Sequence, residues 1–209
     1  MAAISKKDVR DALDYTNISG QGFPWMYAGV PVKVTLKRWY QLPIKVDTRP
    51  LYDLGTHTKP SGIADLALDE VERRLGRKIF ERASIVDEVG ILFSYGTSAG
   101  APGGLPQHNC GSVSGAPNQT GYPSRFLKGS EISAQLVINL GSPDSPGCIA
   151  TQEHAIHELG HALGLGRDFE GFGRGLIISD LFWCVLKTLY ANTDADLQSN
   201  NLKIITDPN

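Results

Sequence analysis

The chain has 209 residues, enough for one compact domain with a real core. Its 20 basic and 22 acidic side chains are scattered rather than blocked, and the net charge of -2 gives no footprint for a polyanion or an anionic lipid surface. Nucleic acid and membrane are therefore not expected partners, and no stretch approaches the roughly 20 apolar residues that span a bilayer.

The N-terminal residues MAAISKKDVRDALDY lack the apolar centre of a secretory signal, although a mature chain whose leader had been removed would read the same way. Residues 32–36, VKVTL, alternate apolar and polar as a half-buried strand does, and LPIKVDT at 42–48 repeats the pattern through Ile44 and Val46. PSGIADLALDEVERRLGRKIF follows as a helix over 61–77. Ser61 is placed to cap it, Ile63, Ala67, Val71 and Leu75 form its inner stripe, and Glu70 pairs with Arg74 on the outer face. EVGILFSYG then alternates Val89, Ile91, Phe93 and Tyr95 as a strand.

From Ser94 to Arg125 the chain is rich in Gly, Pro, Ser and Asn and shows no period, so it reads as one long loop. Residues 131–141, EISAQLVINLG, restore strand character, and the turn SPDSPG ends it. The three cysteines leave at least one unpaired. Cys184 belongs to the apolar run SDLFWCVLKTLY and reads as a buried hydrophobe, whereas Cys110 and Cys148 lie in loops where a disulfide would serve an exported protein.

Chemistry is concentrated in CIATQEHAIHELGHALGLG. Thr151 is placed to cap a helix, and Gly164 and Gly166 are placed to end it in a left-handed conformation. His157 and His161 are four apart, which stacks their imidazoles on one face about 6 Å apart along the axis, close enough to share an ion. Glu158 is then positioned to take a proton from an activated water without being a ligand. The plainer alternative is a pair of surface histidines on an amphipathic helix. Gly160 and Gly164 argue against it, because both are costly in an ordinary helix and point to close packing or a required turn. His154 is too far along the helix from His161 to join one ion, His57 and His108 are isolated in loops, and Tyr190 reads as core.

HELGHALGLG resembles the zinc-binding segment of the metzincin metallopeptidases, most closely the matrixin-like branch with its motif H-E-x-x-H-x-x-G-x-x-H. His157, Glu158, His161 and Gly164 match it, and the order of elements over about residues 40–192 is similar. The resemblance implies an α/β (α+β) fold, a twisted mixed sheet packed with helices, with a zinc-binding helix and a C-terminal helix over 179–192. It implies a single metallopeptidase domain over 1–209, divided into an N-terminal extension 1–30, a catalytic core 31–192 and a tail 193–209. It further implies Zn2+ as cofactor, a secreted or extracytoplasmic location and a peptide or protein substrate, paired along an edge strand SAQLVINL.

Two positions differ from the family pattern. Arg167 stands where the third histidine belongs, and an always-protonated guanidinium does not bind zinc. Asp168, one residue on, is the first alternative as third ligand, Glu170 the second, and a site without a third side chain remains open. The family's methionine beneath the metal is also missing, leaving Ile177 or Ile178 for the apolar floor. The function expected is a zinc-dependent endopeptidase with Glu158 as general base. The alternative is a catalytically inactive relative acting as a zinc-containing or metal-free binding module.

Overall fold

The computed structural model describes residues 3–16, 26–27, 30–31, 38–49, 62–84, 89–95, 111–115, 127–128, 131–133, 135–141, 150–174, 177–193, 196 and 201–209. Its centre is a five-stranded sheet built from β3 (Ile44–Asp47), β4 (Phe80–Arg82), β5 (Gly90–Tyr95), β6 (Gly111–Gly115) and β9 (Gln135–Leu140), in the order β4-β3-β5-β9-β6. The first four strands in that order run parallel, and β6 pairs antiparallel with β9. Three small two-stranded pairs surround it: β1 (Met26–Tyr27) with β2 (Val30–Pro31), β7 (Leu127–Lys128) with β8 (Glu131–Ile132), and β10 (Phe169–Glu170) with β11 (Gly173–Arg174). Four helices are present among the described residues: α1 (Lys6–Thr16), α2 (Ile63–Leu75), α3 (Gln152–Ala162) and α4 (Asp180–Ala191). The fold is thus mixed α/β with a mostly parallel sheet, and no helix among the described residues is long and apolar enough to cross a membrane.

Burial explains which segments took which form. Leu136, Val137, Ile138 and Leu140 of β9 are all buried, the near-continuous apolar run of a strand covered on both faces. In α2 the buried side chains are Ala64, Ala67, Leu68 and Val71, and the outer face carries the Glu70–Arg74 pair at 2.9 Å together with Arg73. Its N-cap is Gly62, without a side-chain cap, and Ser61 lies outside the described residues. The loop from α2 into β4 is closed by buried Glu72, whose Oε1 accepts from the N–H groups of Ile79 and Phe80 at 2.9 Å each. α4 is apolar nearly all round, with Phe182, Cys184, Val185, Leu186 and Leu189 fully buried. Burying each such Phe or Leu is worth about 1.5–3 kcal/mol, so α4, packed against α1 and α2, contributes strongly to the core.

The structure corrects two expectations. The segment 94–125 is not a continuous loop, because Gly111–Gly115 pairs residue for residue with Leu136–Leu140. Consequently β9 is not an edge strand: β5 and β6 flank it, and β6 is the outer strand among the described residues. At the N-terminus, α1 is a packed amphipathic helix that buries Val9, Ala12, Leu13 and Thr16 against α4 and β10. The strand expected over 32–36, His57, His108, Cys110 and Cys148 lie outside the described residues.

Candidate metal centre

Helix α3 is built to present one face. Thr151 opens it, accepting at Oγ1 from the His154 N–H at 3.3 Å, while His154 Nδ1 accepts from the Thr151 N–H at 3.1 Å. His154 is therefore a capping residue. The far end is fixed by two buried groups from elsewhere: Trp39 Nε1 donates to the Ala162 carbonyl at 2.8 Å, and the Tyr190 hydroxyl donates to the Leu163 carbonyl at 3.0 Å. Tyr190 is core, 2% exposed. Gly164 then adopts φ 117° and reverses the chain, a conformation that glycine reaches without a Cβ clash.

That reversal returns Asp168 to the histidines. His157 Nε2 and His161 Nε2 lie 3.1 Å apart, and Asp168 Oδ1 is 3.7 Å from the first and 3.3 Å from the second. Among the described residues, these three form the one group of at least three His, Cys, Asp or Glu side chains whose donor atoms are mutually within 4.8 Å. Glu170 is exposed on β10 and does not join them. Arg167 has its backbone bonded to Thr16.

The donor set fits zinc in chemistry and in spacing. Two imidazole nitrogens and a carboxylate oxygen are accepted ligands, and a tetrahedral ion with bonds of about 2.0–2.1 Å separates its ligand atoms by about 3.3–3.4 Å. The three separations, 3.1, 3.3 and 3.7 Å, straddle that value. His161 is oriented from behind, its Nδ1–H donating to the Leu165 carbonyl at 2.7 Å, which turns Nε2 toward the shared centre. The fit also depends on a missing side chain. Gly173 lies at φ 74°, and a Cβ there would stand 2.6 Å from Asp168 Oδ2 and 2.6 Å from His157 Cε1.

The apolar support is an aromatic residue that sequence reasoning missed. Phe172, fully buried, lies against both imidazoles with ring centroids 4.6 Å from His157 and 4.8 Å from His161, and stacks on Phe182 at 5.1 Å. The floor expected from Ile177 or Ile178 is therefore supplied by Phe172, because the chain turns at Gly171 and pairs Phe172 with Ile178. Gly160 makes the approach possible: a Cβ there would meet Phe172 Cε2 at 2.7 Å and Phe182 Cε2 at 2.8 Å. His157 Nδ1 is buried with no hydrogen-bond partner among the described residues, so this ring is held by packing.

Electrostatics separates the four polar groups. Burial, and then the charge of His161, push the His157 imidazole down to about 4. Burial also works against charge on His161, but the Asp168 hydrogen bond and the Glu158 carboxylate outweigh it and raise its pKa. Asp168 resists the same burial through His161 and stays below the usual carboxylate range. Burial pushes the Glu158 carboxyl up to about 7, with the nearby His161 charge opposing. Glu158 is 7% exposed and lies under β6, where a Cβ on Gly111 would stand 2.7 Å from Glu158 Oε1. A carboxyl with that pKa exchanges its proton readily near neutral pH.

Comparison of the sequence with models of known protein families gives no match, and comparison with curated proteins gives none either.

Proposed function

We propose that this chain is a zinc-dependent endopeptidase with a metzincin-like catalytic domain, in which His157, His161 and Asp168 hold the metal and Glu158 is the general base. The observation that carries the reading is the convergence of three zinc-compatible donors from α3 and the following turn, immediately beside a buried carboxyl that titrates near neutrality. When bound, zinc supplies Lewis-acid polarisation of a scissile carbonyl and acidifies a water molecule. Glu158 accepts the proton of that water at its carboxylate and returns it to the leaving amine. Its burial beneath β6 keeps the carboxyl out of bulk water beside the two histidines, where it can hold the proton between the two transfers. Phe172 and the Leu165 carbonyl keep the two imidazoles oriented while this occurs.

An extended peptide is the substrate shape that suits the site. Strand β6 borders α3 and is the outer strand of the sheet among the described residues, the position from which strand addition by an extended peptide would proceed. Purified protein assayed against a mixed peptide library, with zinc measured on the same sample, tests the reading. Hydrolysis that disappears on metal removal and returns with zinc supports it. Bound zinc with no cleavage of any peptide would favour the noncatalytic binding module instead.

A further inference from the structure

We propose that Thr16, at the end of the N-terminal helix, is a positioning residue that sets the place of Asp168. The inference rests on the reading of Asp168 as a zinc ligand and extends it to a residue bonded to Arg167 from 151 positions away in the chain. Thr16 is 1% exposed, and its polar atoms are spent on the two residues before Asp168. Its hydroxyl donates to the Arg167 carbonyl at 2.8 Å and accepts from the Arg167 N–H at 3.1 Å. Its own carbonyl accepts from the N–H groups of Gly166 at 3.1 Å and Arg167 at 3.2 Å.

The contact is too close to tolerate a side chain on the other partner. A Cβ on Gly166 would stand 2.8 Å from the Thr16 carbonyl oxygen, which explains the second glycine of GLG without any left-handed backbone. The neighbouring residue of α1 reaches the other flank of the ligand: Arg174 lies over the Tyr15 ring at 5.5 Å, and the charge of Arg174 acts on Asp168. The last turn of α1 thus holds the chain on both sides of Asp168, while both histidines are carried on α3 and only the Leu165 carbonyl behind His161 adjoins the held stretch. Asp168 is the donor that arrives on a turn rather than on a helix, so it is the one whose placement depends on an outside clasp.

Zinc affinity of the full chain, measured by chelator competition, tests this in wild type, Thr16→Val, Thr16→Ser, Asp168→Ala and the Thr16→Val/Asp168→Ala double variant, with thermal unfolding followed in parallel. Removing a group that orients a ligand costs about 10–100-fold in metal affinity, and Thr16→Val should lose that much, with Thr16→Ser close to wild type. In the Asp168→Ala background, Thr16→Val should cost nothing further. Gly166→Ala, which drives the same two segments apart, supplies a second readout if Thr16→Val does not fold. Unchanged zinc affinity in Thr16→Val and Gly166→Ala, with Asp168→Ala weakened, would overturn the positioning role alone. Equal losses from Thr16→Val with and without Asp168 would also overturn it. Equal zinc binding by wild type and Asp168→Ala would instead remove the ligand assignment on which it rests.

Discussion

Asp168 Oδ1 lies 3.3 Å from His161 Nε2, although seven residues and a reversal of the chain at Gly164 separate them. This brings a carboxylate to the two imidazoles, and the consequences can be separated by mutation. Asp168→Ala should weaken zinc binding strongly, because a catalytic zinc relies on three protein donors. Glu170→Ala should leave affinity unchanged, since that side chain is exposed and outside the donor group. Zinc titration of both variants distinguishes them, and equal affinities for Asp168→Ala and wild type would exclude Asp168 as a ligand.

Glu158→Gln should keep zinc near one ion per chain while lowering peptide hydrolysis by at least about a hundredfold, the usual contribution of a general base. The same variant has a signature without metal. The folded-state pKa of Glu158, about 7, lies above its ordinary value of 4.5, so the protonated form is favoured by folding. That contribution is full below about pH 4.5 and is lost as pH rises through about 7. Metal-free wild type should therefore lose stability relative to Glu158→Gln between pH 5 and pH 8, by an amount on the order of 3 kcal/mol. Urea unfolding of the two proteins across this range measures it, and a pH-independent difference would contradict the assigned burial.

Glu72 gives a prediction of the opposite sign. Burial opposes its charge, but Lys78 at 2.7 Å and the N–H groups of Phe80 and Ile79 outweigh burial and hold its pKa below the ordinary value of 4.5. The stabilisation is present above the unfolded value and disappears as pH falls through the lower folded value. Glu72→Gln should cost about 2 kcal/mol at pH 7, because buried backbone donors lose a charged acceptor. The gap between variant and wild type should narrow toward pH 3. Urea melts at the two pH values provide the check.

Gly173→Ala tests the space that the donors require. At φ 74° and 2.6 Å from both Asp168 and His157, an added Cβ strains the backbone and drives two ligands apart. Zinc affinity should fall at least tenfold, consistent with the cost of disturbing ligand orientation. Gly76→Ala is the control: it is similarly left-handed, at φ 67°, but has open space around the Cβ and lies at the end of α2. It should lower stability without changing metal affinity.

Much of this arrangement was legible because periodicity survives in the sequence. Ala67 and Val71 fall on the buried stripe of α2, Ile91 and Phe93 on the inner face of β5, and Thr151 and Gly164 at the two ends of α3 as their side-chain chemistry dictates. The costly Gly160 and Gly164 also pointed correctly to close packing and a turn. β6 was illegible for a physical reason: GSVSG has a single apolar residue, and the strand is specified by backbone pairing with β9. α1 has a short stripe of Val9, Ala12 and Leu13 closed by a threonine whose partners lie 151 residues away. Phe172 was hidden by a pattern that directs attention to a methionine, and no local signal reports that its ring will lie against both histidines.

In the proposed site, His157, His161 and Asp168 share one zinc ion. Anomalous diffraction at the zinc edge, from crystals of the wild-type chain grown with equimolar zinc, tests it most directly. One dominant peak is expected, with His157 Nε2, His161 Nε2 and an Asp168 carboxylate oxygen each at about 2.0–2.2 Å. A dominant peak elsewhere, or full zinc occupancy at the histidines with Asp168 turned away, would contradict it.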